Sequence, residues 1–256
     1  MDLGQFGWTL KRYSSVAGPG PQTGMLGGRR GAGKRPSETG GTMNIGIIGA
    51  GHIGSTATRL FVKAGHQVAV SNSRGPASLR SLATELGPQV HPMRVDDATR
   101  FGSVVLLAVP WRAPEALPAP ELVAGKIVID AMNPYGPRGE VIELGATTSS
   151  EEVRKRLPGA RLVKAFNTIY YQHLATLGNT GLPIEDRYAI FVAGYDAEAK
   201  QAVAGLIEEV GFAPVSTGSL VEGGRRQQPG SPLYNHPMTA QEARRILAAW
   251  PRAAAG

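Results

Sequence analysis

The chain has 256 residues, with 27 Lys+Arg against 20 Asp+Glu for a formal charge of +7, and it contains 34 Gly, 19 Pro and no Cys. That length holds one large domain or two small ones, and 42% hydrophobic with 18% charged residues supplies a core while excluding a disordered or coiled-coil chain. The lack of cysteine excludes a disulfide scaffold, a cysteine nucleophile and a thiolate metal site.

Residues 1–42 read as a disordered, basic, Gly-rich leader, with 11 Gly and 3 Pro and no sustained apolar periodicity. They carry +4 of the +7, which leaves +3 for residues 43–256, so the apparent signal for nucleic acid lies mostly outside the fold. A P-loop-like spacing runs from Gly28 to Lys34, but Arg35 and Pro36 stand where a magnesium-binding hydroxyl belongs, and no strand precedes it. The apolar runs fall far short of the roughly 18–20 residues that span a bilayer, and the expectation is a cytoplasmic protein with no membrane and no nucleic-acid partner.

From Met43 onward, short apolar strands alternate with helices: strands over 44–48, 67–70, 89–93, 104–109, 126–129, 161–165, 188–192 and 212–216, and helices over 53–64, 77–86, 113–117, 150–157, 197–210 and 239–249. Thr148 or Ser149, three residues before Glu151 or Glu152, has capping-box spacing. The alternation predicts an α/β fold: a single Rossmann-like, doubly wound, mostly parallel sheet with helices on both faces. Only 40 residues follow the last strand, too few for the all-helical substrate domain of many dehydrogenases.

Gly49, Gly51 and Gly54 form G-x-G-x-x-G directly after the first strand and at the start of the first helix, with His52 and Ile53 between the last two glycines. The first glycine permits the turn, the second lets a pyrophosphate approach, and the third packs helix on strand. The second strand ends in Ser73 and Arg74 with no carboxylate, which favours the 2′-phosphate of NADP(H) over the ribose hydroxyls of NAD(H). The ends of the fourth and fifth strands, Ala108-Val109-Pro110 and Met132-Asn133, should line the nicotinamide half, with Asn167 and Thr168 after the next strand. None of the seven tyrosines has Lys four residues on, which excludes a short-chain dehydrogenase. The five histidines show no metal spacing.

Taken together, Asn44 to Gly54, Asn72-Ser73-Arg74, Leu106 to Trp111, Ile129 to Pro134, Val163 to Thr168 and Ser216 to Leu220 resemble the NADPH-dependent deazaflavin (coenzyme F420) reductase family and, more distantly, the reductase domains of the STEAP ferric reductases. The resemblance implies NADP(H) lying across the sheet and a small-molecule redox coenzyme, F420 or a flavin, stacked on the nicotinamide to exchange hydride directly, with no acid or base required. By that analogy Asn133, Asn167 and Thr168 border the stacked rings, 216–220 forms the acceptor's other side, and 227–237 covers the acceptor pocket or a partner subunit. Arg225 and Arg226 would suit an anionic acceptor tail. A homodimer is the usual outcome for a small sheet with an open edge. A regulatory NADP(H)-binding module without turnover is the alternative.

Overall fold

The computed structural model describes residues 41–250. The leader expected over 1–42, its P-loop-like run included, lies almost wholly outside the described residues.

The chain opens with β1 (Asn44–Ile48), α1 (His52–Lys63), β2 (Gln67–Ser71), α2 (Arg80–Leu86), β3 (Val90–Pro92), α3 (Val95–Phe101) and β4 (Val104–Leu107). It continues through α4 (Pro120–Val123), β5 (Ile127–Asp130), α5 (Ser149–Arg156), β6 (Arg161–Lys164) and α6 (Tyr171–Thr176), and ends with β7 (Ala189–Gly194), α7 (Ala197–Glu209), β8 (Ala213–Gly218), α8 (Glu222–Arg226) and α9 (Ala240–Ala248). All eight strands join one sheet in the order β3-β2-β1-β4-β5-β6-β7-β8. Every pairing is parallel except β6 with β7. The first six strands follow the dinucleotide-binding order, with the topological switch at β1 and β4.

The central strands are apolar along their whole length because both faces are covered. Ile45, Ile47, Leu106 and Ile129 pack on one side with Phe61 of α1 and Val203 and Leu206 of α7. Ile48, Val105, Leu107 and Val128 pack on the other with Val153 of α5 and Ala98 of α3. A third cluster, Phe191 and Val215 with Leu233, Ala240 and Ala243, ties the chain end to β7 and β8. Among the described residues there is no separate all-helical domain, and no helix is long and apolar enough to cross a membrane.

The expected strands are all present, while four short helices were not expected: α3, α4, α6 and α8, of four to seven residues each. Helices this short carry too little periodicity to stand out from loop sequence. Two expected strands are shorter than their apolar runs: β4 stops at Leu107 and β6 at Lys164, since the residues that follow turn out of the sheet. The cap on α5 uses Thr148, whose Oγ1 accepts from the Glu151 N–H at 3.2 Å. A reciprocal capping box, Thr239 with Glu242, starts α9.

Candidate active site at the carboxyl edge of the sheet

The glycine turn fits a diphosphate. Gly49 has φ +105°, and a Cβ there would strike the Ala108 carbonyl. Any side chain at Gly54 would strike the Gly49 carbonyl, which fixes how closely α1 approaches β1. Gly51, by contrast, has nothing within 4 Å of where a Cβ would stand. Two glycines are therefore required by the fold, whereas Gly51 leaves open space at the start of α1, where unpaired N–H groups attract an anion. His52, at the first position of α1, stacks on Tyr171 of α6 with ring centroids 4.2 Å apart and planes 15° apart.

On the β2 side of this turn, Ser73 and Arg74 are exposed and line a cavity of about 550 Å³ together with Asn72, Gly75, Arg94, Asp96, Asp97 and Arg100. The loop is preset by an Asx turn, in which Asn72 Oδ1 accepts from the Arg74 N–H at 2.9 Å, and by Gly75 at φ +81°. Arg94 and Arg100 reach this cavity only because α3 starts beside it. Nothing in the sequence marked them, since α3 itself was too short to be legible.

On the other side, a cavity of about 160 Å³ is lined by Ile53, Ala131, Asn133, Phe166, Asn167, Ile169, Tyr170, Tyr171, Tyr234 and Asn235. Its floor depends on Phe166, a buried residue at φ +63°, where a non-glycine residue is uncommon. This bend follows β6 and turns Asn167 back toward β5, while the Phe166 ring packs edge-on against Phe61 at 6.1 Å.

The two amides lock each other. Asn133 Nδ2 donates to the Asn167 carbonyl at 2.8 Å, and Asn167 Nδ2 donates to Asn133 Oδ1 at 3.0 Å and to the Gln227 carbonyl at 2.9 Å. The remaining Asn133 amide hydrogen points to Tyr234 Oη at 3.4 Å. The Asn133 amide, expected to face a ligand, is thus spent on protein partners.

Other expected site residues fall differently. Ala108 bonds through its N–H to the Ile48 carbonyl at 2.8 Å and faces the glycine turn, and Val109 and Pro110 follow it out of the sheet. Met132 does not line the crevice. Its side chain is in the core, its N–H donates to Asp130 Oδ1 at 3.0 Å, and its carbonyl accepts from Lys164 Nζ at 3.0 Å. Thr168 lines a tighter neighbouring cavity with Tyr170, His173 and His236, not the one that holds Asn133 and Asn167. The 216–220 segment lines neither cavity. Thr217 and Leu220 are buried, because β8 turns directly into α8 and Thr217 Oγ1 accepts from Gln227 Nε2 at 2.8 Å. Arg225 caps the carbonyls of Gly145 and Ala146, and Arg226 donates to the Thr217 carbonyl at 2.8 Å, so neither faces the cavity as an anion-binding pair. The wall expected from 216–220 is supplied by Tyr170, Tyr171 and Tyr234 instead.

Comparison with known proteins gives the same picture. The pattern that defines the family described as NADP oxidoreductase coenzyme F420-dependent matches residues 44–134. The crystal structure of hypothetical protein SMa0349 from Sinorhizobium meliloti is 36% identical over 77% of this chain and 96% of that one, with a TM-score of 0.68. A protein from Arthrobacter sp. FB24, provisionally described as an F420-dependent NADP reductase, shares the fold at a TM-score of 0.63, with 24% identity over 77% of this chain and 99% of its own. Metalloreductase STEAP3 of Rattus norvegicus is 31% identical over 69% of this chain. The chain spans about a third (34%) of the length of the curated metalloreductases it matches. With the glycine turn, the strand order and these relatives in agreement, the chain belongs to the family of NADP oxidoreductases described as coenzyme F420-dependent.

Proposed function

We propose that the chain binds NADP(H) across the carboxyl edge of the sheet and exchanges hydride with a deazaflavin (coenzyme F420) or flavin ring seated in the tyrosine-lined cavity. The observation that carries this reading is the placement of two cavities on either side of the glycine turn. The arginine-rich one lies at β2 and α3, and the aromatic one at β5 and β6. Strands β2 and β5 are three strand spacings apart, roughly 14 Å, which separates the 2′-phosphate end of an extended dinucleotide from its nicotinamide end. Gly49, Gly51, His52, Ile53 and Gly54 would take the diphosphate, Ser73 and Arg74 the 2′-phosphate, and Ala108, Val109 and Pro110 the turn over the cofactor. Residues 43–256 would form this module, in the cytoplasm, with 227–237 closing over the acceptor. NADPH supplies the hydride when bound; the protein's part is to hold two rings in contact and exclude water.

The test is direct. Pure protein is mixed with NADPH and, in turn, F420, FMN or FAD, and the NADPH absorbance band is followed. Oxidation with one acceptor assigns it. No oxidation with any of them defeats the reading, and tight NADPH binding without turnover would select a regulatory module instead.

A further inference from the structure

Tyr234 sits on the segment between α8 and α9, outside the family motifs but within the 227–237 stretch expected to cover the acceptor, and it lines the same cavity as Asn133 and Asn167. Its hydroxyl is engaged from behind. Tyr135 Oη–H donates to Tyr234 Oη at 2.9 Å, and the Asn133 amide approaches it from 3.4 Å. Tyr135 does not line the cavity, and Tyr234 Oη is the one side-chain acceptor its hydroxyl has among the described residues. The Asn133 amide nitrogen can only donate. Both lone pairs of Tyr234 Oη are then occupied, and its own proton has no partner among the described residues.

We propose that Tyr234 is a catalytic hydrogen-bond donor to the redox acceptor, placed to stabilise the negative charge that the acceptor gains with the hydride. This rests on the function proposed above. In the transfer, the C4–H bond of the dihydronicotinamide breaks and both its electrons leave with the hydrogen. A C–H bond forms at C5 of a deazaflavin, or an N–H bond at N5 of a flavin. NADPH is oxidised to NADP⁺, the acceptor is reduced by two electrons, and the extra charge spreads over the N1–C2 carbonyl edge of its pyrimidine ring. A phenol donating to that edge binds the reduced anion more strongly than the oxidised ring, which is the differential that accelerates a reaction. The Asn133 and Asn167 amides cannot serve, because they spend their N–H groups on each other, on Tyr234 and on Gln227. Burial pushes the Tyr234 phenol above its ordinary value, which keeps the proton on it.

The experiment compares wild type, Tyr234→Phe and Tyr135→Phe, using whichever of F420 or FMN oxidises NADPH. Dissociation constants are measured for NADPH, for the oxidised acceptor and, anaerobically, for the reduced acceptor, together with single-turnover hydride transfer. For Tyr234→Phe the expected result is unchanged NADPH binding, a loss of no more than about 3-fold for the oxidised acceptor, and a loss of about 10- to 100-fold for the reduced one, as for a charged hydrogen bond. The transfer rate should fall by a similar factor. Tyr135→Phe should show a smaller change of the same kind. Equal losses for both redox forms, or none, overturn the inference while the proposed function stands. A wild-type protein that oxidises NADPH with neither acceptor overturns both.

Discussion

Asp130 at the end of β5 and Lys164 at the end of β6 form an ion pair at 3.3 Å in which neither side chain has any exposed surface. Both grip the same residue, Asp130 accepting from the Met132 N–H and Lys164 donating to its carbonyl. Ser150 Oγ donates to Asp130 at 2.5 Å, and Lys164 reaches Ser149 at 3.3 Å, so the start of α5 completes the satisfaction of both charges. The pair fixes the turn that presents Asn133 to the cavity.

Removing one charge should therefore be costly. Lys164→Met leaves a buried, uncompensated carboxylate, and a loss of about 3–5 kcal/mol in urea unfolding is expected. The double variant Asp130→Asn, Lys164→Met should recover a substantial part of that loss. If the double variant is as unstable as the two single losses summed, the pair is not coupled as the geometry indicates.

The glycine turn separates fold from ligand. Gly51→Ala meets open space at an ordinary backbone angle, so the thermal midpoint should stay within about 2 °C of wild type, while NADPH affinity falls at least about tenfold because the methyl group occupies the diphosphate's place. Gly54→Ala should destabilise the protein by about 1–3 kcal/mol or more even without NADPH, since its methyl group meets a backbone carbonyl. Equal effects of the two substitutions on stability would contradict this division.

Cofactor choice should depend on Arg74. Arg74→Ala is expected to weaken NADPH binding by about 1–3 kcal/mol and leave NADH nearly unchanged. Isothermal titration with both cofactors checks this, and equal losses would move the 2′-phosphate elsewhere in the cavity that Arg74 shares with Arg94 and Arg100.

Acid stability should depend on Asp196. Its carboxylate is held well below the usual range, first by the Arg161 guanidinium, which donates at 2.5 Å and 3.0 Å, and then by the Ala199 N–H at 2.9 Å. A depressed folded-state pKa stabilises the protein above the ordinary aspartate value near about 3.9 and loses that effect as pH falls below it. Asp196→Asn should thus lower the urea midpoint at pH 7, and the gap to wild type should narrow steadily as pH falls below about 5. A gap that stays constant would assign the loss to the helix cap alone.

The sequence by itself determined the α/β class, all eight strands and the position of the glycine turn. Those features depend on local signals: unbroken apolar runs for strands buried on both faces, and glycines at a strand-to-helix junction. The basic end of the site was legible at Ser73 and Arg74 for the same reason, since both lie next to a strand that could be read. Only the tertiary structure decided the aromatic end. Tyr170, Tyr171 and Tyr234 reach one cavity across more than sixty residues of chain, and Asn133 meets Asn167 because β5 and β6 are neighbours and Phe166 bends backward after β6. Whether an amide faces a ligand or another amide is a matter of which hydrogen-bond partners the fold brings within about 3 Å, and sequence spacing does not encode it. Met132 shows the same limit: its place in the chain suggested the crevice, and a buried ion pair on two adjacent strands turned its side chain into the core.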